Sequence, residues 1–334
     1  NPDEDLGDTL FPGAVVTDPD AAPEEGKFRF HARQSRLFIK TWTPTGMGEM
    51  STHFEGDFFG GGGNEVFSNS TSFRIRHAYG EIGPWLAGQT WTNFLHFAAY
   101  PGTVDFGGPM GVSFVRQAQV RYTVPMGDGS LSFSLENPEA TGFPNAQDEA
   151  PDATVRYKWS GGSATIETSA VLRRLAYDDG VDSDSEFGYG LMLAGNYSIG
   201  NTTLMGGFIY GDGVGRYLYV GSGSNNGQSG IGSAFIDDEG SLETVEAFGI
   251  VAAIKHQWTP QFSSQLAYGR AESDKPADQF PEATEFLETI HFSNFWTPVD
   301  RVTFGFEVAR AAKELHNGDD GDALRVQFST QYSF

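Results

Sequence analysis

The 334-residue chain has no cysteine. That excludes a disulfide framework, a thiolate metal site and a cysteine nucleophile. Basic residues are scarce, with 21 Lys+Arg against 44 Asp+Glu and a formal charge of −23. Nucleic acid is excluded as a partner, because phosphate neutralisation needs a net basic surface. Long apolar runs are missing too. The longest spans about residues 248–254, so no transmembrane helix can be drawn. No signal peptide is visible at the N-terminus. Catalytic signatures are also lacking: there is no Gly-x-Ser-x-Gly, no His-Glu-x-x-His, no Walker loop and no dinucleotide fingerprint. The glycine runs at 60–63 and 221–227 read as loop composition, since no helix follows them. The reading is of a protein that is not an enzyme.

What is present is alternation. Val155, Tyr157 and Trp159 alternate with Thr154, Arg156 and Lys158. Phe73, Ile75, His77 and Tyr79 alternate with Arg74, Arg76, Ala78 and Gly80, so His77 is expected on the apolar face. About fifteen strands follow, near 27–42, 49–59, 70–82, 84–94, 112–124, 129–137, 152–159, 163–177, 186–198, 201–211, 243–258, 261–272, 284–296, 300–313 and 322–334. Many exceed the ~5–6 residues common in soluble sheets.

The connections alternate between short turns and long loops, most of the long ones acidic. Short–long rhythm, long strands, and aromatics beside the short turns predict an all-β fold: a transmembrane antiparallel β-barrel in a Gram-negative outer membrane, as one domain over 1–334. The expected aromatic girdle is Trp42, Trp85, Trp159, Trp258, Trp296 and the terminal Phe334. The first and last visible strands both descend, and antiparallel closure needs an even number. Sixteen strands are therefore expected, the first preceding residue 1, with 1–26 as the first outer loop. A weak strand within 8–16 is the alternative.

Residues 95–111, LHFAAYPGTVDFGGPMG, form a long loop that is nearly uncharged. It is expected to fold into the barrel as a constriction carrying Phe97, Tyr100, Asp105 and Phe106; packing against a neighbouring subunit is the alternative.

Bases concentrate in strands. Arg74, Arg76, Arg121, Arg156, Lys158, Arg173 and Arg325 fall on the polar parity, while the directions of Arg36, Lys40 and Arg116 are ambiguous. A charge on the lipid face costs ~2–4 kcal/mol at mid-membrane, so the lumen is their place. There they favour small anions, unless acids such as Glu167 and Glu307 neutralise them. The acids crowd into loops. Asp178, Asp182 and Asp184 resemble a calcium loop only faintly, and structural Ca²⁺ is the one cofactor considered; acidic loops could also bridge cations to anionic lipid.

The segments HARQSRLFIK (31–40), HFEGDFFG (53–60), RIRHAYGEIG (74–83), LAGQTWTNF (86–94) and SFVRQAQVRYT (113–123) resemble the DcaP-like outer-membrane porins. The match is best over 27–124; beyond it the strand rhythm and the turn WTPVDR persist. The resemblance implies a sixteen-stranded homotrimer, one pore per subunit, a third-loop constriction and an arginine-lined path for dicarboxylates. Arg36, Arg74, Arg76, Arg116 and Arg121 lie in the matched segments. Family members usually carry a first strand and a helical segment before this point. The expected function is a passive anion-preferring porin in contact with lipopolysaccharide. The competing readings are a general, weakly selective diffusion pore, a barrel enzyme and a soluble β-sandwich adhesin.

Overall fold

The computed structural model describes residues 9–18, 26–61, 68–140, 142–218, 230–276 and 278–334. The acids at 3–8, residues 62 and 63 of the 60–63 glycine run and the 221–227 run lie outside them.

Eighteen strands form among the described residues, in chain order: β1 Leu37–Thr45, β2 Gly48–Asp57, β3 Arg74–Ile82, β4 Trp85–Trp91, β5 Arg116–Met126, β6 Gly129–Glu136, β7 Ala146–Gln147, β8 Asp152–Gly161, β9 Ala164–Asp178, β10 Ser183–Ile199, β11 Thr202–Asp212, β12 Ala234–Ile236, β13 Leu242–Thr244, β14 Glu246–Thr259, β15 Phe262–Ser273, β16 Thr284–Val299, β17 Val302–Leu315 and β18 Asp320–Tyr332. Sixteen belong to one antiparallel sheet. Fifteen of these follow one another as a meander, and two-residue β7 adds to β9. β12 and β13 make a separate hairpin in an outer loop. With fifteen strands on the path, β1 and β18 run in the same direction; they are not paired with each other among the described residues.

No helix among the described residues is long and apolar enough to cross a membrane. The strands do the crossing. Ten residues rise ~33 Å along the strand, which a ~40° tilt reduces to the ~25 Å of an outer-membrane apolar band. The two parities separate as hydrocarbon and lumen demand. In β10, Phe187, Leu191 and Leu193 are exposed on the outside, while Met192 and Ala194 are buried inside. In β18, Leu324, Val326 and Phe328 point outward and Arg325 and Gln327 inward.

Turn-side aromatics follow the outward parity at Trp85, Trp159, Trp258 and Trp296, and Phe334 is exposed. Trp42 does not. Its cross-strand partner is Ser51, whose hydroxyl reaches Glu81, so Trp42 shares the inner face with Phe38 and Lys40. The alternation of β1 carries aromatics and a lysine on one parity, which left its direction open.

The inside of the barrel is not simply water. An apolar core lies within the wall: Phe94, Ala99 and Val112 from one loop meet Val214, Tyr217, Leu218 and Ile231 from another, against Val171, Met192 and Val251 of the strands. Both loops fold inward, filling the side walled by β9–β15.

Candidate functional site: an arginine-lined eyelet

The third-loop segment, residues 95–115, leaves β4 and follows the inner wall toward β18. Each step is tied by a hydrogen bond. The Ala98 amide donates to Glu167 at 3.0 Å, and its carbonyl accepts from Asn196 Nδ2 at 2.8 Å. The Val104 and Asp105 amides donate to the two oxygens of Glu307 at 2.8 and 3.1 Å. The Met110 amide donates to Thr289 Oγ1 at 3.0 Å. A buried amide left unpaired costs ~1–3 kcal/mol, so these acceptors decide where the loop lies.

The wall beneath is cleared by glycine. A Cβ on Gly269 would collide with the Met110 backbone, and one on Gly249 with the Gly111 backbone. Gly207 and Gly305 make room for the side chains of Ala99 and Val104. The loop therefore presses backbone to backbone on the sheet. His96, fully buried here, has its imidazole pushed down to about 3 by burial.

Phe97, Tyr100 and Phe106 line a cavity of ≈2460 Å³, which also reaches Arg36, Glu55, Arg76, His77 and Trp91 and runs along the β1 and β18 edges. Asp105 sits just inside. It is buried, caps the Gly107 and Gly108 amides, accepts the Leu10 amide at 2.8 Å and lies 3.7 Å from Arg325. Its expected place at the constriction thus becomes a brace for the loop tip.

On the facing wall, β2 and β3 bring four charges together. Arg74 grips Asp57 with two parallel bonds, 2.9 and 2.8 Å. Arg76 bonds Glu55 at 2.7 Å and Asp57 at 2.9 Å. Fork-to-carboxylate pairing of this kind fixes both planes. Phe106 serves as their common floor: the guanidinium carbons of Arg36, Arg74 and Arg76 lie 5.6, 5.6 and 5.5 Å from its centroid. Phe59 stacks on the same ring at 4.4 Å. Arg116 lies over Trp91 at 4.7 Å. Cation–π contacts of this kind contribute ~0.5–2 kcal/mol.

A register shift between Glu55 and Gly56 makes a β-bulge at Arg76. Arg76 and His77 then both turn inward, and His77 bonds Thr90 at 2.9 Å and stacks on His53 at 5.4 Å. His77 is on the lumen face, against the expectation from alternation, because one extra residue reverses parity.

The remaining expected cations divide. Arg156 and Lys158 converge on Glu167 at 2.6 and 3.5 Å. Arg121 reaches the Trp91 carbonyl, at 3.4 Å. Lys40 lies 5.7 Å from the Phe38 centroid. Arg173 does not line this cavity: it is 2% exposed, bonds Asp152 at 3.1 Å and the Gly213 and Glu139 carbonyls at 2.8 Å, and so clamps the second inward loop. Tyr217 completes that clamp through its hydroxyl to Asp152 at 2.7 Å. The polar parity of β9 announces Arg173 as luminal; nothing in the sequence says that a loop covers it.

Asp178, Asp179 and Asp184 cap the amides of Gly180, Val181, Asp182, Ser185 and Leu242 rather than converging with Asp182. No cluster of three acidic or histidine groups fit for a metal occurs among the described residues.

An open-meander wall, an inward third loop and an eyelet of charge are the parts of a porin. The DcaP outer membrane protein model matches residues 18–334. The chain belongs to the DcaP outer membrane protein family. It is an integral outer-membrane channel protein of Gram-negative type, not an enzyme. The outer membrane channel DcaP of Acinetobacter baumannii superimposes with a TM-score of 0.83 at 25% identity, covering 96% of this chain and 90% of that one. OmpT of Vibrio cholerae in its trimer form gives 0.56 at 10% identity over 90% and 96% of the two chains. OmpF of Salmonella typhi, in complex with daunomycin, gives 0.56 at 9% over 89% and 90%. These last two share the fold alone. No curated protein matches the chain.

Proposed function

We propose that this DcaP-family channel passes small anions passively, carboxylates and dicarboxylates among them, with residues 95–111 as its constriction. One observation carries the reading. Of the four guanidinium groups gathered around Phe106 and Trp91, Arg74 and Arg76 are neutralised by Asp57 and Glu55. Arg36 and Arg116 have no carboxylate within ion-pair distance among the described residues, yet both lie within electrostatic reach of Arg76 and Asp57. The eyelet keeps two uncompensated positive charges, and in a channel with low-dielectric walls that field selects anions. Weak multi-site contact, not tight binding, suits permeation.

The protein assembles as a homotrimer set among lipopolysaccharide, the assembly that the resemblance to the DcaP family implies. The test is reversal potential across planar bilayers in a KCl gradient. Arg36→Ser with Arg116→Ser is expected to abolish anion preference. If the double variant keeps the wild-type potential, the general diffusion pore becomes the better reading, since most other luminal cations are already paired.

A further inference from the structure

Residues 10–16, at the start of the described chain, lie inside the wall. Leu10 is fully buried and Val15 nearly so. Pro12–Ala14 form one 3₁₀ turn, closed by the Ala14 amide on the Phe11 carbonyl at 3.0 Å. The turn rests on the inner wall. Leu10 and Val15 pack on Ala309, Ala311 and Ala323. Lys313 donates to the Gly13 carbonyl at 3.2 Å. Gly321 leaves room for the Val16 carbonyl where any Cβ would collide with it. At its other end the Leu10 amide donates to Asp105, which itself caps the tip of the third loop. Alanines at three adjoining positions of β17 and β18, a missing Cβ and a lysine aimed at a carbonyl together make a fitted seat.

We propose that residues 10–16 are a strut that locks the third-loop tip against β16–β18 and so sets the width of the channel. The proposal deepens the constriction reading and rests on it. Leu10, Val15 and Asp105 are positioning residues; none of them need touch a solute. Without the strut, Asp105 loses one of its three amide donors and the tip is free to shift.

The absence of cysteine from these 334 residues gives a clean test in the protein reconstituted into bilayers. Val15→Cys should react with a water-soluble maleimide at least ~10-fold more slowly than Asp18→Cys, as burial in a closed seat requires. Equal rates would overturn the seating. Gly321→Val and Ala309→Leu should each evict the strut and raise single-channel conductance ~1.5-fold or more, since conductance follows the open cross-section. Heat-modifiable migration on gels would confirm that the variants fold. Folded variants with wild-type conductance and wild-type noise would sink the proposal. Reversal potential, measured alongside, reports on anion preference separately: its loss in the wild type would count against the proposed function and leave the strut standing.

Discussion

Glu307 on β17 and Val104 at the tip of the third loop are joined on the inner wall by a 2.8 Å bond from amide to carboxylate. The same carboxylate takes the Asp105 amide, the Ser293 hydroxyl at 2.6 Å and His291 at 3.1 Å. Every face of the group is used. The acid that seemed a candidate partner for luminal arginines instead positions the loop.

Glu307→Ala should therefore release the loop tip without changing the charge of the arginine cluster. Two buried amides lose their acceptor, at ~1–3 kcal/mol each. Open-channel current noise should rise and the unfolding midpoint should fall. An unchanged noise spectrum would contradict the anchor.

Gly269→Ala should act on the same loop from beneath. Its added Cβ meets the Met110 backbone, which cannot swing away like the end of a side chain. Overpacking of this kind costs ~1–3 kcal/mol. Urea unfolding of the detergent-solubilised barrel would measure it, with Gly206→Ala, where a Cβ meets open space, as the control.

Arg173→Ser separates stability from selectivity. Asp152 would be left buried beside Tyr217 without its main cation, a loss on the order of 3–5 kcal/mol. Thermal stability should drop while the reversal potential stays at the wild-type value. A clear loss of anion preference would return Arg173 to the conduction path.

Acid should loosen the loop through His96. Its folded pKa is depressed to about 3 from the ordinary 6.5, so the neutral form is the folded one. The stability it contributes is complete above pH 6.5 and is lost as pH falls from there toward 3, by up to ~1.4 kcal/mol per unit. His96→Asn should flatten that part of the stability–pH curve. If wild type and variant fall in parallel, the group is not responsible.

Much of the wall was legible because alternation is a direct record of two solvents. Val326 against Gln327, or Trp159 against Lys158, announces its side without help from the rest of the chain. The third loop was legible by composition, since a nearly uncharged outer loop has no reason to stand in water. What was not legible depends on geometry that no local pattern encodes. The bulge at Arg76 turns His77 inward by one inserted residue. Glu55, Asp57 and Phe59 become the partners of the arginines only once β2 lies beside β3 in one particular register. The inward fold of 213–218 and 230–235 hides in a loop with no periodicity, and its burial alone removes Arg173 from the path. Glycines such as Gly269 read as weak strand positions; their purpose is the chain that passes over them.

The enclosed cluster around Tyr217 and Phe94 gives this barrel something a water-filled tube lacks. Melting the tube would bring dry hydrocarbon surface into contact with solvent, so calorimetry should record a positive heat-capacity step on denaturation, as it does for soluble globular proteins.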